Sequence, residues 1–365
     1  MVEKKHGISP DLLIHPGETI SDLLEERNIT QKELAQRADV SEAFLSEVIH
    51  GKKDISKGLA RGLEYAFGVP KSFWLNLQAN YDAESLSLQE EKNISEEEKN
   101  ALLAIHEVVD YLKKILVIPD GLPQTETIIC LRKLFRVSNL AALKVLAPSG
   151  AFRMSDKVSV DQYVLGAWLC LCKVLGSERP ISSDFDPTRV DELVSRLKEI
   201  MLSDHGDLQN LLKDLFAQHG IDFSIVHNFR GAPVHGYIAS KEDGAYQMVL
   251  TIRGAFADIF WFSLFHELGH IVNGDVSKSG SFIDAEYSKD GKKEAAADLF
   301  ASSRLLDQKS YERFVQAGSY SYASIEAYAR TQAVPSYVVI GRLQKEGRIP
   351  WIWQKYKPRY KWAEV

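Results

Sequence analysis

Hydrophobic positions recur along most of this chain at the three-and-four spacing of helices, and only one region departs from that period. Near the start, Thr30 with Glu33 three residues on forms a capping box, and Leu34 and Ala35 then face inward from a helix over 31–37. Ala38-Asp39-Val40 reads as a turn. Ser41 caps a second helix with Phe44, Leu45 and Val48 on its apolar side, stopped by Gly51. From Ala83 the pattern turns acidic and polar, and Ser95 with Glu98 predicts a helix through Leu112 whose glutamates are solvated. Helices are predicted again over Thr125–Phe135, Asn139–Leu146, Val160–Leu175, Arg189–Met201 and Asp207–His219. After Gly220 come three runs of strand character, Ile221–His227, Val234–Ala239 and Tyr246–Thr251. A strongly apolar helix follows from Ile259, then a Gly- and Ser-rich loop from Asn273 to Lys293, then a strong helix former, Glu294–Ala301. Tyr322–Arg330 and Pro335–Leu343 are helical in pattern. The reading is an α+β chain: an all-α helix-turn-helix domain at 1–82, an acidic linker and helical middle region at 83–185, a small sheet packed on helices at 186–310, and a helical extension at 311–365.

Composition changes this picture little. The chain has 365 residues, 45% of them hydrophobic, which suffices for more than one core. No apolar run approaches the ~20 residues of a membrane span, and the lysines after Met1 are not followed by an apolar stretch, so no membrane partner and a cytoplasmic setting are expected. Three cysteines without C-x-x-C spacing fit reduced thiols. A net charge of −6 offers no global attraction to nucleic acid, so any such binding must be local.

Helix, three-residue turn and helix inside a small helical domain is the helix-turn-helix unit of DNA-binding proteins, and a plain αα-hairpin has the same spacing. The second helix, 41–50, carries no Arg, Lys, Asn or Gln, the types that make bidentate contacts to guanine or adenine, and residues 1–80 hold ten Lys/Arg against twelve Asp/Glu. Gln31, Gln36, Arg37, Lys52, Lys53, Lys57 and Arg61 are the candidates for phosphate contact and Ser46 and Glu47 those for the bases, with Ser41 and Glu42 as further candidate DNA contacts. His15-Pro16-Gly17-Glu18, Thr30-Gln31-Lys32-Glu33-Leu34-Ala35 and the run from Phe73 to Tyr81 resemble the N-terminal domain of HigA-type antitoxins within the XRE group of repressors. The resemblance covers about 14–82 and implies a dimerising, DNA-binding module that regulates a promoter, with a toxin or repressor as protein partner.

The second half carries its own chemistry in Phe265-His266-Glu267-Leu268-Gly269-His270. His266 and His270, four apart on a helix, emerge from one face and can close on one zinc ion, while Glu267 lies about 100° round and can act as general base. Zinc so held brings the pKa of a bound water to about 7. A third histidine in the extended pattern would fall on Val276, and the glycine on Asn273, so the third ligand is expected from a carboxylate. Glu294 on the following helix fits, with Asp298 on the same face able to hold a ligand imidazole; Asp284, Glu286 and Asp290 in the intervening loop are rivals. The strand ending Val249-Leu250, the His266–His270 motif, Glu294–Ala301 and Val338–Gln344 resemble the ImmA/IrrE-type zinc metallopeptidases, where Asn usually stands in place of Asp298. That resemblance implies a zincin-like domain cleaving a helix-turn-helix repressor, with His266, His270 and Glu294 on the metal and Glu267 as catalytic base.

Together these readings point to a regulator joined to a zinc metalloendopeptidase, cleaving a repressor-type partner or its own linker. A non-proteolytic antitoxin or repressor whose second half senses a ligand or partner stands as the alternative. The close of the chain, 351–362, alternates basic and aromatic residues and is read as a docking tail in preference to a nucleic-acid surface.

Overall fold

The computed structural model describes residues 13–146, 160–176, 181, 184–203, 206–241, 244–252, 256–276, 281–285 and 291–361, with backbone only for 281–285. The chain divides into two units, Met1–Ser95 and Glu96–Val365.

The first unit holds α1 (Pro16–Arg27), α2 (Gln31–Arg37), α3 (Glu42–Ile49), α4 (Lys57–Phe67) and α5 (Lys71–Lys92). Side-chain caps place the helix starts: Thr30 accepts the Glu33 N–H at 3.2 Å and Ser41 that of Phe44 at 3.1 Å. Asp39, between them, takes a left-handed φ of 56°. Ile20, Leu34, Leu45, Leu59, Leu63 and Trp74 close a core of their own. Two close approaches fix the packing. A methyl on Gly17 would stand 2.1 Å from the Val48 carbonyl oxygen, and one on Gly62 2.5 Å from that of Ala38, so α1 and α4 lie against the helix-turn-helix backbone. The stretch 83–92, read above as linker, is the second half of α5.

In the second unit α6 (Glu96–Ala104), α7 (His106–Lys114), α8 (Gln124–Phe135), α9 (Leu143–Leu146) and α10 (Gln162–Val174) form a helical layer. The single helix expected through Leu112 breaks at Ile105. Glu98, expected as a solvated cap, is 1% exposed: it takes a two-pronged contact from Arg132 at 2.9 and 2.5 Å and accepts the Leu140 N–H at 3.0 Å. Then come α11 (Val190–Leu202), α12 (Leu208–Ala217), β1 (Ile221–Ile225), β2 (Val234–Ser240), β3 (Tyr246–Leu250) and α13 (Ala257–Val272). They are followed by β4 (Ser281–Ala285), α14 (Gly291–Leu305), α15 (Gln308–Ala317), α16 (Tyr322–Thr331) and α17 (Ser336–Lys345). The expected loop after Asn273 therefore contains a fourth strand.

The sheet runs β1-β3-β2-β4, with β1 parallel to β3 and the other neighbours antiparallel. Every residue of β1 is buried, because the sheet is covered on both faces. Phe223, Ile238 and Met248 join the core with Leu264 and Phe265 of α13. On the other face α10 packs through Trp168 edge-on to Tyr237, and Gln247 donates to the Cys172 carbonyl at 3.0 Å. The helices after Asp307 share this core, which runs on through Ile340 and Leu343 to Ile349. The tail docks as expected: Ala257 donates to the Pro358 carbonyl, Trp261 to Tyr360, and buried Lys357 to Asp258 at 2.8 Å. Among the described residues no helix is long and apolar enough to cross a membrane.

Candidate metal centre and nucleic-acid interface

His266, Glu267 and His270 sit on the buried side of α13, a helix apolar enough to carry them into the interior. Gly269, inside the motif, sets the distance to α14. A methyl there would lie 3.2 Å from Ala297 Cα and from Phe300 Cβ, so the two helices pass at small-residue distance and Glu294 reaches the imidazoles. One ligand atom each from His266, His270 and Glu294 falls within 4.8 Å of the others. His266 Nε2 lies 3.1 Å from Glu294 Oε2 and 3.0 Å from His270 Nε2.

The ring orientations are fixed from behind. His266 Nδ1 donates to Asp298 Oδ1 at 3.0 Å, and His270 Nδ1 donates to Asp275 Oδ2 at 2.8 Å. With both Nδ1 protons committed, the two Nε2 atoms are lone-pair donors turned toward each other beside a carboxylate. Such an arrangement repels itself unless a cation or a proton occupies the gap, and two imidazoles with one carboxylate suit zinc. Burial works to raise the Glu294 carboxyl, but with a proton in that gap the Nε2–H groups of His266 and His270 donate to it, outweigh burial and hold it well below the usual carboxylate range. The His266 hydrogen bond likewise lowers Asp298 against partial burial, with the Lys345 charge adding to it. Both carboxylates are therefore ionised at neutral pH, as metal binding requires.

Glu267 is fully buried and lies over Gly236 of β2, where an added methyl would come within 1.9 Å of its Oε1. Gly236 is the strand position that gives this carboxylate its room. Neither Gly236 nor Asp275 stood out in the sequence. Asp275 follows His270 by five residues, a spacing that places an acceptor behind the ring only because the chain turns at Gly274 with φ of 72°. Of the rival carboxylates, Asp284 falls on β4 opposite Gly236, and Glu286 and Asp290 lie outside the described residues.

On the first unit, Glu42, Ser46, Glu47 and His50 share the outer side of α3 and its end. Gln31 reaches across from α2 to the Glu42 carbonyl at 3.4 Å. Arg37 is paired with Glu33 at 2.5 Å and Lys53 with Glu47 at 2.6 Å, so two of the expected phosphate contacts are already engaged within the protein. Ser41 spends its hydroxyl on the α3 cap. Gln36 and Lys52 are exposed. His50, which donates from Nδ1 to the Ser46 carbonyl oxygen at 2.7 Å, is an exposed imidazole at the end of α3 that had not been singled out.

The helix-turn-helix family profile matches residues 20–74. Virulence-associated protein A' of Dichelobacter nodosus is 42% identical over 76 residues, which are 20% of this chain, and the match spans 66% of that relative's length. Virulence-associated protein A of the same organism is 39% identical over 71 residues, 18% of this chain and 68% of the relative. The uncharacterised HTH-type transcriptional regulator YddM of Escherichia coli K12 is 30% identical over 63 residues, 17% of this chain and 67% of the relative. Among solved structures, the antitoxin HigA of Pseudomonas aeruginosa with the higBA promoter is 30% identical and covers 22% of this chain and 90% of its own, at a TM-score of 0.22.

Proposed function

We propose, on the premise that this chain belongs to the helix-turn-helix family through its first unit, that it is a transcriptional regulator whose second unit is a zinc-dependent endopeptidase. The convergence of His266, His270 and Glu294 within 4.8 Å, with both imidazoles braced by carboxylates, carries the reading. Zinc, when bound by these three residues, supplies Lewis acidity at a scissile carbonyl and makes a water nucleophilic near neutral pH. Glu267, buried beside them, takes the proton of the attacking water and returns it to the leaving amine. Asp298 and Asp275 keep the imidazoles in the ligating tautomer. β4, the edge strand beyond β2, provides extended backbone against which a peptide can align.

The substrate in this reading is a helix-turn-helix repressor or toxin-associated partner held near the first unit, or the chain's own junction near Ser95. Tethering raises the effective concentration of whatever the first unit binds. The first unit is a DNA-binding domain by family, and we assign it operator contact as a homodimer through the outer side of α3, Gln36 and Lys52.

Metal analysis of purified protein, paired with a chelator-controlled cleavage assay on co-encoded repressors, tests this function. Zinc bound in near-stoichiometric amount, cleavage abolished by chelator and by Glu267→Gln, and promoter output altered by the same substitution are the expected results. Promoter output unchanged in Glu267→Gln moves the function to a non-proteolytic antitoxin or repressor whose second unit senses a ligand.

A further inference from the structure

Behind the metal centre, on the side of His266 away from Glu294, lies a cavity of about 600 Å³ bounded by α13, α14, α17 and the tail. Its volume falls in the range of small-molecule sites. Phe262, Leu305, Leu306, Val338 and Trp351 form apolar walls. Three cations and three carboxylates also line it, and most of them are committed. Arg342 is paired with Glu346 at 3.1 Å and donates to Gln308 at 3.0 Å. Lys357 is buried and paired with Asp258 at 2.8 Å.

Lys345 is different. Its ammonium stands 3.9 Å from Asp298 Oδ2, its side chain is 68% exposed, and it sits 4.6 Å above the centre of the Phe262 ring. On the acidic side, Asp258 uses Oδ2 for Lys357, while its buried Oδ1 has no hydrogen-bond partner among the described residues. The cavity thus presents a loosely held cation over an aromatic ring, a buried acceptor, and a second aromatic wall at Trp351. An anion at Lys345, a hydrogen-bond donor at Asp258 and a flat ring between Phe262 and Trp351 complement these three features.

We propose that this cavity binds a small aromatic carboxylate bearing an N–H or O–H group, and that its occupant acts on the metal centre through Asp298. One oxygen of Asp298 holds the His266 Nδ1 proton and the other faces Lys345. A carboxylate that draws Lys345 away leaves Asp298 a stronger acceptor from His266, which raises the donor strength of Nε2 and adds a negative charge near the cation site. Both effects act in the same direction: the ligand tightens zinc, and zinc reciprocally tightens the ligand.

The test uses the full chain. Hydroxynaphthoate is titrated calorimetrically into metal-free protein, so that the outcome is independent of whether the chain binds zinc. Saturable one-site binding is expected, weakened about tenfold by Lys345→Met and about tenfold for naphthol, which lacks the carboxylate. Ser302→Trp, which fills the cavity from α14, is expected to abolish binding while helicity is unchanged. Zinc affinity, measured by chelator competition, is expected to rise about fivefold with saturating hydroxynaphthoate in the wild type and not in Ser302→Trp. Absence of saturable binding, or equal binding by the wild type, Lys345→Met and Ser302→Trp, overturns the site. Zinc affinity indifferent to the ligand overturns the coupling.

Discussion

Asp275 and Asp298 hold the protons that decide which nitrogen of each imidazole faces the metal, so their removal acts on affinity and not on the motif itself. Asp275→Ala is expected to weaken zinc roughly 10–100-fold, read by chelator competition, with helicity retained. Glu267→Gln is expected to leave zinc affinity near that of the wild type and to abolish peptide cleavage, because the carboxylate serves the proton and not the ion. Gly236→Ala drives a methyl into Glu267 Oε1 at 1.9 Å, and the backbone of β2 cannot yield without breaking its pairing with β3 and β4. Its cost is about 1–3 kcal/mol of stability, with zinc kept and cleavage lost, measured by thermal melting alongside metal content. A Gly236→Ala protein that cleaves normally would mean that Glu267 is free to work from another position.

Among elements, α3 tests how far charge governs DNA binding. Arg37 and Lys53 are engaged by Glu33 and Glu47, so the affinity for operator DNA should fall only shallowly with salt. Lys52→Ala is expected to lower the slope of log affinity against log salt by about 1, and Arg37→Ala to change it less, as measured by fluorescence anisotropy. The helix-turn-helix was readable because caps are local: Thr30 and Ser41 bond their own helices, and no distant residue enters. The meeting of His266, His270 and Glu294 was readable for a related reason, since a four-residue spacing and a strong helix former dictate which faces meet. What stayed hidden depends on partners far along the chain. Glu98 stands in an acidic run that reads as solvated, yet Arg132, 34 residues on, converts it into a buried pair. Arg132→Met is expected to destabilise the second unit by about 3–5 kcal/mol, since it leaves the buried Glu98 carboxylate without its guanidinium. β4 was hidden because five residues between polar segments show no period long enough to detect; only its pairing with β2 makes it a strand.

At the scale of the whole molecule, two units close two separate cores, one around Leu45, Leu59 and Trp74 and the other running from Val190 to Ile349. A ligand that binds one native unit and not its unfolded chain stabilises that unit alone, by about 2.7 kcal/mol at a free concentration a hundred times its dissociation constant. The proposed zinc ligands all belong to the second unit, on α13 and α14, whose mutual packing Gly269 makes close. Differential scanning calorimetry of the full chain is therefore expected to show two transitions. Chelator should lower the midpoint of one by several degrees and leave the other in place. Operator DNA should do the converse, raising the transition that chelator does not touch. Lys52→Ala should shrink only the DNA-induced shift, and Glu294→Ala should reproduce the chelated trace with the metal present. If both transitions move together under chelator, the metal is bridging structure beyond α13 and α14. If neither moves, His266, His270 and Glu294 share their gap with a proton instead, and the second unit works without a resident ion.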